Sequence, residues 1–104
     1  MPVTTIAERD IHVDSEGYLT DFDEWDEGLA CDLASQIGIE LTDAHWQVIR
    51  FLRADYRAQG QTPTLRRVTV VGGIPTKTLF GLFPTKPAKK MAYIAGLPKP
   101  QGCV

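Results

Sequence analysis

The chain has 104 residues, 43% of them hydrophobic, and a formal net charge of −2 at pH 7. These values predict a single domain with a modest core, and no apolar run approaches the roughly 20 residues of a membrane span. Two cysteines (Cys31, Cys103) and two widely separated histidines (His12, His45) make neither a disulfide framework nor a metal site. The N-terminus lacks a secretory signal pattern, so we expect a cytoplasmic protein without metal or cofactor.

The charges are divided unevenly along the chain. Residues 1–60 carry thirteen acidic and four basic residues, whereas residues 61–104 carry seven basic residues and none that is acidic. Either the basic half meets an anionic partner, nucleic acid or an acidic protein, or the two halves neutralise each other within the fold. The basic residues that would form a partner surface are Arg66, Arg67, Lys77, Lys86, Lys89 and Lys90.

The first predicted elements are a β-hairpin and a helix. Residues 11–14 alternate in polarity, residues 15–17 are typical of a turn, and residues 18–20 provide the returning strand. Acidic residues then precede Trp25, where a helix is predicted to begin and to run to Gly38. Its apolar stripe consists of Trp25, Leu29, Leu33 and Ile37. Cys31 lies off that stripe, and we interpret it as a small structural residue.

The second helix is predicted between Thr42, a good N-cap, and Gly60. Its buried face consists of Trp46, Val48, Ile49, Leu52 and Tyr56, and Arg50, Arg53 and Arg57 lie off that face. His45 falls in the first turn, where a histidine is more often a capping or surface residue than a catalyst.

Three shorter helices are predicted in the basic half. Thr62-Pro63 opens the third helix, Pro75 the fourth and Pro87 the last, because proline is tolerated at the first helical position. The third and fourth helices, separated by Gly72-Gly73, resemble a helix-turn-helix unit. As a DNA-binding signal this is weak, because the fourth helix offers few polar side chains for reading bases.

The end of the chain places a thiol on a semi-stiff tail. Pro98 and Pro100 exclude helix and central strand, and Gly96 and Gly102 loosen the two ends. Such a segment could carry Cys103 roughly 20–25 Å from Gly96 at about 3.3 Å per residue, a geometry that suits a thiol entering another protein's active site. The alternative is a frayed terminus that happens to contain cysteine.

Several segments together resemble the DsrC/TusE family of sulfur-carrier proteins. They are Glu16-Gly17-Tyr18-Leu19, Gly38-Ile39-Glu40-Leu41-Thr42 with His45-Trp46, Phe51-Leu52-Arg53 with Tyr56, Pro63 with Leu65-Arg66, Leu82-Phe83-Pro84 with Pro87-Ala88-Lys89, and Ile94-Ala95-Gly96-Leu97-Pro98-Lys99-Pro100 with Cys103. The resemblance covers the chain from about residue 11 to its end, and the terminal motif is highly specific.

The resemblance implies a mainly α fold: a small helical bundle with a helix-turn-helix-like unit, a short N-terminal β-hairpin and a flexible C-terminal arm. We expect a globular domain over residues 1–95 and an arm over residues 96–104. The family's penultimate cysteine, which accepts and passes on sulfur as a persulfide, falls on Cys103. The arm residues expected to support docking are Gly96, Leu97, Pro98, Lys99, Pro100, Gly102 and Val104.

The sequence departs from the family in three places. Ala92 stands where DsrC carries a second arm cysteine, so Cys103 has no partner for the intramolecular disulfide of sulfite reduction, and Cys31 does not replace it. The loop at residues 71–75 is shortened, and Lys86 replaces the family's glycine before Pro87.

Three functions are compatible with the sequence. The first is a TusE-like sulfur relay, which in relatives leads to thiolation of the tRNA wobble uridine. The second is a non-catalytic gamma-type subunit or adaptor of a dissimilatory sulfite reductase. The third is a regulator that binds nucleic acid through the helix-turn-helix-like unit. A single arm cysteine favours the relay, because it can pass sulfur on but cannot close a disulfide within the arm.

Overall fold

The computed structural model describes residues 3–6 and 9–98, with side chains from residue 11 onward. The regular elements are β1 Val3–Ile6, β2 Arg9–His12, α1 Glu27–Gln36, α2 Asp43–Gln59, α3 Leu65–Val70, α4 Thr76–Leu82 and α5 Pro87–Ile94. The predicted mainly α fold, with an N-terminal hairpin and a pair of short helices, is confirmed. No helix in the described part of the chain is both long enough and apolar enough to cross a membrane.

The N-terminal strands lie earlier than predicted. β1 and β2 pair antiparallel, with Val3 opposite His12, and sequence reasoning missed β1 altogether. The expected turn at residues 15–17 does form, but its strands meet in a single bridge between Val13 and Leu19. The Asp14 carboxylate accepts the backbone N–H groups of Glu16 and Tyr18, at 2.9 and 3.0 Å, and so tightens the turn.

Helix α1 begins two residues after Trp25, so the predicted start was wrong. A single 3₁₀ turn, Phe22–Glu24, occupies the acidic stretch, and Asp26 then caps α1 by accepting the backbone N–H of Leu29 at 2.8 Å. Trp25 therefore lies in the extended link between the turn and α1, where its ring can reach another helix.

Helix α2 is capped at both ends as predicted. Gly60 closes it with φ +76°, and His45 Nδ1 accepts the backbone N–H of Thr42 at 3.0 Å. Since Nδ1 is an acceptor, Nε2 carries the proton and donates to the carbonyl of Leu82 at 2.8 Å. His45 is thus a buried capping residue that also ties α2 to the end of α4, and the alternative of a surface position was wrong.

Helix α3 begins later than predicted. Thr64, not Thr62, is its N-cap and accepts the backbone N–H of Arg67 at 3.1 Å. The threonine hydroxyls of α3 and α4, on Thr69 and Thr76, lie 3.0 Å apart and hold the two helices together. The helix-turn-helix-like pair is therefore present, with α4 only seven residues long.

Helix α5 packs against α1, α2 and α4 and lies at the centre of the main core. Its buried residues are Pro87, Ala88, Met91, Ala92 and Ile94. A second, smaller cluster lies under the hairpin and consists of Ile11, Val13, Leu19, Leu29 and Leu33. Because α5 is fixed on several sides, the chain that leaves its C-terminus starts from a well-defined position.

Candidate functional site: the root of the C-terminal arm

Cys103, the residue predicted to carry sulfur, lies outside the described residues. The same is true of the predicted docking residues Lys99, Pro100, Gly102 and Val104. The structure does describe the segment that leads to them, from the last turn of α5 to Pro98. We call residues 94–98 the arm root. Its contacts decide from which point on the body the predicted arm starts.

The arm root begins with a glycine-closed helix end. Gly96 has φ +70°, its backbone N–H donates to the carbonyl of Tyr93 at 3.3 Å, and that of Leu97 donates to the carbonyl of Ala92 at 3.0 Å. This pattern is typical of helix termini that end on a left-handed glycine. It turns the chain back across the body immediately after α5.

Two side chains then satisfy carbonyls that the helix end leaves free. The indole N–H of Trp25 donates to the carbonyl of Ile94 at 2.9 Å, and Arg53 Nη1 donates to the carbonyl of Ala95 at 2.8 Å. The last carbonyls of a helix have no partner within the helix. Here α2 and the link before α1 supply those partners.

Arg53 is enclosed by two aromatic rings. Its guanidinium carbon lies 3.8 Å from the centre of the Phe22 ring and 4.1 Å from that of Trp25, and Nη2 donates to the carbonyl of Phe22 at 3.0 Å. Burial, reinforced by the charge of Arg57, lowers the pKa of Arg53 to about 10, so the group stays charged at neutral pH. Arg53 does lie off the buried face of α2, as the sequence pattern indicates, but it is half-buried; the helical pattern could not reveal the rings that another segment places against it.

Gly96 is also required by the closeness of Trp25. A Cβ atom at position 96 would lie 2.5 Å from Trp25 Cδ1, 2.9 Å from Cγ and 3.0 Å from a methyl group of Leu19. No real Cβ atom approaches a ring so closely, so only glycine fits between α5 and the indole.

The rest of the arm root is packed or hydrogen-bonded to the body. Leu97 is fully buried in the main core, and the hydroxyl of buried Thr62 donates to the carbonyl of Pro98 at 2.8 Å. Gly96 and Leu97 thus pack on the globular body, because the helix-closing turn folds them back onto it. The arm expected over residues 96–104 stays a prediction, since residues 99–104 lie outside the described part of the chain. Sequence reasoning missed Trp25, Arg53 and Thr62 as parts of this region.

The predicted basic surface is only partly available to a partner. Arg67 forms a two-fold ion pair with buried Asp55, at 2.7 Å from Nε to Oδ2 and 2.8 Å from Nη2 to Oδ1. The hydrogen bond with the Asp55 carboxylate raises the pKa of Arg67. Lys90 Nζ donates to the carbonyl of Pro84. Arg66, Lys77 and Lys86 are exposed, and Lys89 is half-buried.

Lys86 occupies a backbone conformation that suits glycine. Its φ and ψ are +53° and +57°, and Thr85 before it also has a positive φ of 58°. A side chain in this left-handed region is strained by contact between Cβ and the backbone. The lysine noted in the sequence as a replacement for glycine therefore carries a local cost in stability.

Ala92 stands where DsrC carries its second cysteine, and Cys31 is the other cysteine of this chain; the two positions differ in their exposure to solvent. Ala92 is fully buried on α5, whereas Cys31 is exposed on α1 and lines an open cleft of about 450 Å³ beside Trp46. The interpretation of Cys31 as a structural residue gains no support from this exposed position. Among the residues whose side chains are described, no three His, Cys, Asp or Glu side chains are grouped to hold a metal ion.

The sequence profile of the family described as "DsrC like protein" matches residues 5–104. The chain belongs to this family. It is 41% identical to "Sulfurtransferase TusE" of Sodalis glossinidius, in an alignment that covers 91% of this chain and 94% of the relative. It is also 41% identical to the protein of the same name from Yersinia pseudotuberculosis, over 92% of this chain and 95% of the relative.

Solved structures of this family have the same fold. The DsrC structure from Allochromatium vinosum, determined by NMR, superposes with a TM-score of 0.81 at 38% identity, covering 98% of this chain and 97% of that one. The oxidised gamma-subunit of the dissimilatory sulfite reductase (DsrC) from Archaeoglobus fulgidus gives 0.78 at 37% identity, covering 99% and 100%. The resemblance expected from the sequence motifs is thereby confirmed.

Proposed function

We propose that this chain is a sulfur-relay carrier that receives sulfur on Cys103 and passes it to an acceptor protein. The observation that carries the proposal is the family match, which extends to residue 104 and so includes Cys103. The high identity to sulfurtransferases over nearly their whole length supports the same role. Lys99, Pro100, Gly102 and Val104, which surround the thiol in sequence, are proposed to help seat the tip in the partner.

The chemistry needs only one thiol. The Cys103 thiolate attacks the outer sulfur of a persulfide on the donor protein; a new S–S bond forms on Cys103, the donor S–S bond breaks, and the donor leaves as a thiolate. The next transfer repeats the exchange, with Cys103 as the leaving thiolate. No net oxidation or reduction occurs, so neither a cofactor nor a second cysteine is required.

The reach of the thiol follows from the arm root. Cys103 comes five residues after Pro98, and Pro98 is held by Thr62. An extended segment of that length spans at most about 16 Å at about 3.3 Å per residue. The reach is therefore shorter than an arm starting at Gly96 would give, and the partner must come close to the end of α5.

The intact-mass experiment tests this proposal directly. The wild type, Cys103→Ser and Cys31→Ser are incubated with a cysteine desulfurase and cysteine, and the masses are compared before and after reduction. We expect a reducible gain of one sulfur, about 32 Da, on the wild type and on Cys31→Ser but not on Cys103→Ser. Equal gains on both single variants, or no gain on the wild type, would refute the carrier role. Cys31→Ser is the matched control because Cys31 is itself exposed.

A partner surface is proposed on the two short helices α3 and α4. Among the described residues, the large hydrophobic side chains most exposed to solvent are Val70 at 70%, Val71 at 56% and Phe80 at 50%, and Arg66 and Lys77 lie exposed on the same helices. Apolar area next to positive charge fits an acidic protein surface better than nucleic acid, which is bound mainly through its phosphates. We expect Phe80→Ser to weaken binding of the sulfur donor and Ala58→Ser, on exposed α2 surface, to leave it unchanged.

A role as a subunit or adaptor of a sulfite reductase is the second candidate. It is favoured by the likeness to the reductase gamma-subunit from Archaeoglobus fulgidus. Against a redox role in such an enzyme, Ala92 replaces the second arm cysteine. Stable co-purification with a reductase, without sulfur on Cys103, would favour this candidate over the relay.

A further inference from the structure

Three side chains from separate parts of the chain converge on the arm root. Trp25 from the link before α1 binds the carbonyl of Ile94, Arg53 from α2 binds that of Ala95, and Thr62 from the α2–α3 connection binds that of Pro98. Successive stretches of the root are thus each held by a different element. Burial of Leu97 between these contacts adds a hydrophobic anchor.

We propose that Trp25, Arg53 and Thr62 are positioning residues for sulfur transfer: they fix the point and direction from which the arm leaves the body. The inference rests on the proposed relay function. A donor that docks on the globular body then meets Cys103 within a small, defined volume. These residues do not touch the reacting sulfur and act only through the backbone of the arm root.

The geometry explains why an arginine is used. The planar guanidinium lies against the Phe22 and Trp25 rings while two of its nitrogens donate to two different carbonyls, of Phe22 and Ala95. A lysine ammonium is compact and not planar, so it cannot stack in this way and reach both oxygens at once. Arg53→Lys therefore keeps the charge but is expected to release the carbonyl of Ala95.

The size of the effect follows from the length of the tether. With the root held, Cys103 is five positions beyond the last held residue, Pro98; with the root released, it is nine positions beyond Ile94. Effective concentration falls roughly as the −3/2 power of tether length, which gives a decrease of about 2.4-fold. Loss of direction adds to this, so we expect kcat/KM for transfer from a protein donor to fall about threefold if the whole root is released, and by less if only one contact is lost.

The test uses Thr62→Val, Thr62→Ser and Arg53→Lys, all with Cys31→Ser so that Cys103 is the reacting thiol. Valine matches threonine in shape but lacks the hydroxyl, whereas serine keeps it. Each variant is loaded either with inorganic polysulfide or by a cysteine desulfurase with cysteine. We expect equal loading by polysulfide throughout and recovery in Thr62→Ser. With the protein donor, kcat/KM for Thr62→Val and Arg53→Lys should be lower than that of the parent, by less than about threefold because the remaining contacts still hold part of the root.

Hydrogen exchange of the Leu97 amide, which is bonded to the carbonyl of Ala92, reports the arm root independently of sulfur. It should be faster in Thr62→Val and Arg53→Lys than in Thr62→Ser. Transfer at the wild-type rate in both variants, a parallel loss of polysulfide loading, or unchanged exchange would each overturn the positioning role. If the parent protein takes sulfur from neither source, the relay function fails, and the exchange rates alone decide whether these residues hold the root.

Discussion

Replacing Gly96 by alanine tests how tightly the body holds the arm root. The new Cβ atom would lie 2.5 Å from Trp25 Cδ1 and 2.9 Å from Cγ. These atoms are next to the Trp25 backbone, and the ring is held by its hydrogen bond to Ile94 and by Arg53. The indole must therefore move as a whole, and its contacts with α5 and Arg53 are lost.

The cost in the free energy of unfolding can be estimated from three contributions. An alanine at a φ of +70° is less stable than glycine by about 1 kcal/mol. Loss of the indole hydrogen bond adds about 1 kcal/mol, and loss of the Arg53–Trp25 stacking adds about 0.5–1 kcal/mol. We expect Gly96→Ala to lower the free energy of unfolding by about 3 kcal/mol, a large share of the stability of a small domain.

Gly38→Ala and Gly60→Ala are matched controls for this substitution. Both glycines follow helices at nearly the same φ, +72° and +76°, but a Cβ atom there has no neighbour within 4 Å. The controls share the backbone strain and the change in the unfolded chain, so we expect each to cost about 1 kcal/mol. Urea unfolding monitored by far-UV circular dichroism measures all three variants. If Gly96→Ala is no less stable than the two controls, the close contact between Trp25 and the arm root does not exist.

Three further predictions concern α5 and its start. Burial raises the pKa of Tyr93, so the unfolded chain loses the phenolic proton first and the free energy of unfolding falls as pH rises above about 10. Tyr93→Phe should reduce that fall, measured by urea unfolding at pH 9–11. An unchanged dependence of the free energy of unfolding on pH would contradict this prediction. Lys86→Gly should raise the free energy of unfolding by about 0.5 kcal/mol, because it relieves the strain at φ +53° at some entropic cost. Ala92→Cys should introduce a thiol that is alkylated far more slowly than exposed Cys31; equal rates in the native protein would show that position 92 is accessible.

Local signals in the sequence were reliable where they act within one element. Thr42 and Gly60 correctly marked the two ends of α2, because an N-cap and a left-handed glycine act only on the nearest turns of a helix. The starts of α1 and α3 were misplaced by about two residues, because in each case more than one nearby polar residue could cap the helix and only the folded chain selects one. β1 has no strong alternating pattern and depends on its pairing with β2.

The family, the mainly helical fold and the cysteine at position 103 could all be predicted from the sequence, because the terminal motif and the helix signals are local. The tertiary structure was needed to show which side chains hold residues 94–98 against the body. Arg53 lies 42 residues from Ala95, Trp25 69 from Ile94 and Thr62 36 from Pro98. Hydrogen bonds across such separations leave no periodic trace in the sequence, since each forms only after the core has brought α1, α2 and α5 together.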